Sequence, residues 1–176
     1  MGLGWIGAPE HNRWLSDETH ALLRYARVAT VPAGFGWIGE DGVVDESHPV
    51  ELWITGRMTF AFSLGVLMGI PGCRRYADHG VRALSTALRD HEHGGWFSAI
   101  RHELDADGHG VPADPDGRKE CYQHAFVLLA AATATAANRP GATELLRDAI
   151  ECQDRYWWDE DFGMPIESYS ADLTDP

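Results

Sequence analysis

Two stretches of this chain, ELWITGRMTFAFSLGVLMG and RKECYQHAFVLLAAATATAA, keep helical spacing yet are apolar nearly all round after their first turns. A water-soluble protein tolerates such a helix only where other elements surround it, so both are expected to be inner helices. Three further segments with a period of 3.6 carry charges on one face, as Arg74, Arg75, Asp78, Arg82 and Arg89 do in the middle one, and read as outer helices. No convincing alternating strand lies between them. The spacing therefore predicts an all-α chain of five helices, near 12–29, 51–69, 73–90, 118–137 and 141–156, outer and inner by turns.

The connections alternate too. Inner-to-outer links are tight and read Ile70-Pro71-Gly72 and Arg139-Pro140-Gly141, where proline stops one helix and helps start the next. Outer-to-inner links are long and share an aromatic, glycine and acid composition: PAGFGWIGEDG, HGGWFSAIRHELDADG and YWWDEDFGM. Their tryptophans, Trp37, Trp96 and Trp157, recur about every sixty residues, the mark of a repeated helical hairpin with its long loops gathered at one end. Function is expected at that end. Inner helices of such repeats are buried only by stacking, and an α/α toroid closes last hairpin on first. Two and a half hairpins cannot close, and the loop ESYSADLTDP stands where a third inner helix is due, so the native protein is expected to be about twice this length.

Fourteen Lys and Arg against twenty-seven Asp and Glu leave a net charge of −13, which repels phosphate backbones and anionic membranes and excludes nucleic acid and membrane partners. Cys73, Cys121 and Cys152 are odd in number and far apart, in neither a disulfide framework nor a zinc spacing. Residues 1–9, MGLGWIGAP, lack a basic start and a long apolar run, so a cytoplasmic location is expected.

Gly34-Phe35-Gly36-Trp37-Ile38-Gly39 matches G-x-G-x-x-G, but no helix opens on the glycines to meet a pyrophosphate, and a glycine-aromatic turn is the better reading. His91, His93, His102 and His109 share one long loop without a carboxylate or cysteine at a recurrent ligand spacing, so they read as solvent-facing and no metal is expected. Arg57 is the most revealing residue. It lies about two turns into an apolar inner helix, where an unpaired guanidinium costs of order several kcal/mol, so it meets either a ligand's oxygens or an acid such as Glu51. Trp53, one turn earlier, suits stacking on a pyranose face or core filling. Tyr122 and His124 stand in the first turns of the other inner helix; two residues apart, they point about 200° from one another, so one faces the axis and the other packs. Tyr122 is the better ligand contact of the two, with His124 the alternative. Asp41, Asp45, Glu51, Asp105, Asp107, Asp159, Glu160, Asp161 and Glu167 leave open a two-carboxylate glycosidase, although most sit in glycine-rich turns.

In order along the chain, HNRWL, PAGFGWIGEDG, ELWITGRMT, ADHGVRAL, LRDHEHGGWF, KECYQHAF and WWDEDFGMPIES resemble the N-acylglucosamine 2-epimerase family, and within it the bacterial aldose–ketose isomerases that act on mannose or sulfoquinovose. The resemblance implies an (α/α)6 barrel, of which residues 1–176 form the N-terminal half of a single domain. It implies a catalytic, charge-stabilising Arg57, and Trp53, Tyr122 and His124 as substrate-binding residues. It implies a small sugar as partner, is compatible with a homo-oligomer, and implies no cofactor and no metal. The family's N-x-N-x-H segment and its two catalytic histidines, which pass a proton between C1 and C2 through a cis-enediolate, are not in this sequence. The extended 102–117 loop, HELDADGHGVPADPDG, departs from the family pattern and bears on substrate choice. The expected activity is an aldose–ketose isomerisation of mannose type; a 2-epimerase of N-acylglucosamine or cellobiose, a glycosidase on the same fold and a non-catalytic sugar-binding fragment are the alternatives.

Overall fold

A computed structural model describes residues 5–176, so the first four residues of MGLGWIGAP lie outside it. Among the described residues there are five α-helices: α1 (Pro9–Ala26), α2 (Leu52–Leu67), α3 (Cys73–Ser85), α4 (Cys121–Ala136) and α5 (Ala142–Tyr156). The first begins earlier than its periodicity suggests because Pro9 occupies the first helical position, where its missing N–H and fixed φ are an advantage. Left-handed residues, rather than the prolines, end the inner helices. Gly69 (φ 74°) and Asn138 (φ 54°) build matching Schellman turns, with Ile70 N–H donating to Gly65 C=O at 2.8 Å and Arg139 N–H to Ala134 C=O at 2.9 Å. Pro71 and Pro140 follow those turns, and Gly72 and Gly141, both left-handed, cap α3 and α5.

Packing follows the expected alternation. α2 lies against both α3 and α4, and α4 against both α2 and α5. The amphipathic outer helices bury one stripe each, Cys73, Tyr76, Ala77, Gly80 and Leu84 on α3 and Ala142, Leu145, Ala149 and Cys152 on α5. Small residues fix how close the axes come. A methyl group at Gly80 of α3 would collide with Thr59 of α2, and one at Gly56 of α2 would sit 2.8 Å from the Phe126 Cβ of α4. The remaining face of the inner helices is not covered by described residues: Arg57, Leu64 and Leu67 on α2 and Tyr122 and Leu129 on α4 are exposed.

The long loops hold short antiparallel pairings that leave no readable alternation in sequence. Thr30–Val31 (β1) pairs with Gly34–Phe35 (β2); Val50–Glu51 (β3), Ala99–Leu104 (β4) and Gly110–Pro112 (β5) form a three-stranded sheet; Lys119–Glu120 (β6) pairs with Ser168–Tyr169 (β9), and Trp158–Asp159 (β7) with Met164–Pro165 (β8). A rule emerges. The strand immediately before each inner helix pairs with the long loop of the next unit: Val50 opposite Ile100 and Glu51 opposite Ala99, then Lys119 opposite Tyr169 and Glu120 opposite Ser168. The first helical N–H continues each ladder, Leu52 to Ser98 C=O at 3.0 Å and Cys121 to Glu167 C=O at 2.9 Å. This is why the second inner helix begins at Cys121 and not at 118. The extended 102–117 segment supplies the outer part of the β4–β5 hairpin.

The structural repeat is in a slightly different register from the tryptophan count. Phe35 N–H donates to Thr55 Oγ1 at 3.2 Å and Trp96 N–H to His124 Nε2 at 3.1 Å, and Thr55 and His124 are each the fourth residue of their inner helix. Phe35, Trp96 and Trp157 are thus the equivalent residues. All three are fully or almost fully buried, whereas Trp37 is 40% exposed. The first unit carries phenylalanine where the others carry tryptophan, which made Trp37 look like the repeat's first member.

Candidate active site

The uncovered inner face begins where α2 and α4 leave the strand ladders, at the end that carries the long loops. On α2, Trp53 and Arg57 are one turn apart; on α4, Tyr122 and Phe126 are one turn apart. The four side chains meet. Arg57 Nη2 donates to the Tyr122 hydroxyl at 2.8 Å, and the guanidinium carbon lies 4.3 Å from the Phe126 ring centroid and 5.0 Å from that of Trp53. Tyr122 in turn meets Phe126 edge-on at 5.1 Å. A guanidinium is weakly hydrated on its faces and strongly on its edge, so two rings and one hydroxyl hold it while other N–H donors stay available. Among the described residues Arg57 forms no ion pair. The partner sought in sequence is therefore a phenol. Glu51 does not pair with Arg57; burial pushes its carboxyl above the usual range, with a smaller opposing effect from His48 and a reinforcing one from Glu120.

His124 does not join this face. Its ring is 3% exposed, wedged between Trp96 (5.6 Å, edge-on) and Trp157 (4.6 Å), with Nε2 accepting from Trp96 N–H and Nδ1 at 2.8 Å from Glu120 C=O. That pairing defines the tautomer with the proton on Nδ1. Burial, aided by the nearby charges of Lys119 and Arg89, lowers its pKa to about 4. Tyr122, two residues earlier and 58% exposed, is the residue that reaches the inner face. The helical offset separates the two as expected, and His124 takes the packed role rather than the ligand-facing one.

Beside His124 lies a buried ion pair that sequence reasoning did not single out. Lys119 Nζ donates to Asp90 Oδ2 at 2.6 Å and to Gly94 C=O at 2.7 Å, and Asp90 Oδ1 accepts from the backbone N–H of Glu92 and His93. Burial alone would raise the Asp90 carboxyl, but the Lys119 contact and these N–H donors bring it below the usual range. The pair ties the glycine turn before Trp96 to the strand before α4. Two further aromatic residues line the inner face. Phe126 was hidden inside an apolar run, and only its i, i+4 spacing from Tyr122 marks it. Trp37 stacks on His48 at 5.1 Å and meets Trp53 edge-on at 6.5 Å, extending the aromatic wall from Arg57 toward the loops.

Trp37 aside, the other sequence motifs lie apart from this face. Gly34 to Gly39 run from β2 into an irregular loop with an isolated bridge from Ile38 to Val44, and no helix opens on them. The His91 and His109 rings lie 4.2 Å apart, His93 lies 3.4 Å from Asp90, and His102 Nε2 is 2.9 Å from His48 C=O. Among the described residues no group of three or more His, Cys, Asp or Glu is placed to hold a metal ion, and no helix is long and apolar enough to cross a membrane. Asp41, Asp45, Asp105 and Asp159 spend their carboxylates on turns, accepting backbone N–H groups two to four residues on.

The pattern of the N-acylglucosamine 2-epimerase (GlcNAc 2-epimerase) family matches residues 33–176. The chain belongs to that family. A D-mannose isomerase of Thermobifida fusca is 45% identical over 168 residues, 95% of this chain, and one of Pseudomonas cannabina pv. alisalensis is 41% identical over 97% of it. The chain spans 39% of the length of each. Among solved structures, cellobiose 2-epimerase from Spirochaeta thermophila DSM 6192 superposes with a TM-score of 0.75 at 26% identity, covering 93% of this chain and 41% of that one. A D-mannose isomerase superposes at 0.71 and 22% identity, covering 89% and 38%, which speaks to the fold alone. These neighbours are (α/α)6 barrels, and the alternating helices described above are the matching portion of one.

Proposed function

We propose that the protein to which this chain belongs is a sugar isomerase interconverting D-mannose, or a related aldose, with D-fructose or the corresponding ketose, and that these residues form the N-terminal part of its single barrel domain. The observation that carries this reading is the Arg57 guanidinium, held between Trp53 and Phe126 and by Tyr122, with donors left over at the loop end of an inner helix pair. The identity with two D-mannose isomerases over nearly the whole chain supports the substrate class.

Aldose–ketose exchange moves a proton between C2 and C1 while the carbonyl passes from O1 to O2 through a cis-enediolate, so negative charge grows on an oxygen that was neutral in the sugar. Arg57 donates to that oxygen, a contact stronger in the transition state than in the ground state and worth about 2–4 kcal/mol. Tyr122 aims the guanidinium, and Trp53 offers its face to the apolar side of the ring. The proton carrier must titrate near neutrality. His124 does not qualify, since both ring nitrogens are engaged and its pKa lies near 4. The acid and base come from parts of the protein outside these residues.

A second reading has its own support in the likeness to cellobiose 2-epimerase. Epimerisation uses the same enediolate but returns the proton to C2 from the other face, and Arg57 would serve it equally. One experiment separates the two. The complete protein, incubated with D-mannose in deuterated water, is expected to yield fructose deuterated at C1; glucose deuterated at C2 as the sole product would establish epimerisation, and recovery of unlabelled mannose would remove both readings for this sugar.

A further inference from the structure

We infer that Phe126 is a positioning residue for Arg57, and that Gly56 is the notch that admits it. The two helices touch at one place of unusual closeness. A Cβ on Gly56 would lie 2.8 Å from Phe126 Cβ and 3.0 Å from its carbonyl oxygen, so α4 reaches the backbone of α2 only because residue 56 has no side chain. Arg57 is the next residue along α2. The close approach therefore sets the Phe126 ring beside the guanidinium, 4.3 Å from centroid to carbon, nearer than the Trp53 ring at 5.0 Å. Phe126 is itself braced edge-on by Tyr122, the residue whose hydroxyl accepts from Arg57. The guanidinium is thus bounded by a ring on each of two helices and by a hydroxyl at its edge.

An arginine has four soft side-chain torsions, and on an exposed face most of its rotamers would point its donors elsewhere. The two rings remove that freedom through face contacts, which use no N–H group, so the donors stay free for a ligand. Phe126 touches Arg57 rather than the reacting atoms and acts through it. Loss of the ring leaves the charge in place but unaimed, and a misdirected contact weakens transition-state binding more than it weakens substrate binding.

The kinetic part of the test rests on the isomerase reading above; the spectroscopic part does not. In the complete protein with labelled arginine, the Arg57 side-chain N–H signals, assigned by their loss in Arg57→Lys, are expected upfield of those of solvent-exposed arginines because of ring shielding. Phe126→Leu should move them toward the exposed position, and Phe126→Tyr, which keeps the ring, should leave them. In turnover, Phe126→Leu should lower kcat about tenfold with KM changed less than threefold, Phe126→Tyr should recover most of that loss, and Phe126→Leu in an Arg57→Ala background should add less than twofold. Phe126→Met repeats each measurement at similar volume should the leucine variant melt early. Arg57 signals unmoved by loss of the ring, or a full additional loss in the Arg57→Ala background, overturn the inference. Absence of turnover in the unsubstituted protein counts against the isomerase reading, and the arginine spectrum then decides the positioning role by itself.

Discussion

Acid should loosen this protein through His124. Its Nε2 accepts the Trp96 N–H, so a proton added there would set N–H against N–H inside a shell of two tryptophans. An unfolded histidine takes up its proton near pH 6.5, the folded one near pH 4. Between those values the unfolded chain binds more protons than the folded one, and stability falls as pH falls. At about 1.4 kcal/mol per pH unit, the drop from pH 6.5 to 5 is about 2 kcal/mol, and near pH 4 it approaches about 3 kcal/mol. That is a large part of the 5–15 kcal/mol typical of a domain. Glu51, whose carboxyl burial raises, works in the opposite direction at the acid end of this window. A His124→Gln control subtracts that contribution, since glutamine keeps an acceptor for Trp96 and has no titration of its own. Urea-unfolding midpoints followed by tryptophan fluorescence at pH 7.5, 6.5, 5.5 and 5.0 should fall steeply for the unsubstituted protein and much less for the variant. Equal slopes, or a His124 ring that titrates near 6.5 by NMR, would refute the reasoning and restore His124 as an open ligand-facing residue.

Arg57→Ala in the complete protein should lower kcat/KM for mannose at least about a hundredfold, because a transition-state donor is lost; unchanged kinetics would remove Arg57 from the site. Lys119→Met leaves the Asp90 carboxylate buried without its counter-ion and should cost about 3–5 kcal/mol in urea unfolding. Adding Asp90→Asn should recover part of that loss, and a Lys119→Met protein as stable as its parent would show the pair to be dispensable. A polypeptide of residues 1–176 alone should self-associate and show no mannose turnover, since Leu64, Leu67 and Leu129 are exposed on the inner helices and Met68 just past the end of α2. Light scattering that finds a cooperatively unfolding monomer, or any fructose formed, would contradict this.

Much of the architecture was present in the chain before any folding. Two helices apolar on every side can only be enclosed, three with a charged stripe can only enclose, and Pro-Gly pairs between them permit only tight turns, so the order of outer and inner elements follows from composition and period. Arg57 announced itself for a similar reason, as a charge where only a partner or ligand could justify one. Contacts between distant segments were a different matter. The two-residue strands that start each inner helix have no periodicity to read, and they exist because the next unit's loop supplies Ala99–Ile100 and Ser168–Tyr169 as partners. The repeat's true register, with Phe35 in place of Trp37, depends on which N–H finds Thr55 or His124. Whether Arg57 would meet Glu51 or a phenol turned on how close α4 comes to α2, and that distance is set by the missing side chain at Gly56, against which the backbone and Cβ of Phe126, seventy residues on, pack. Sequence periodicity encodes which face of a helix is buried; only the packed tertiary structure decides which atoms on that face touch.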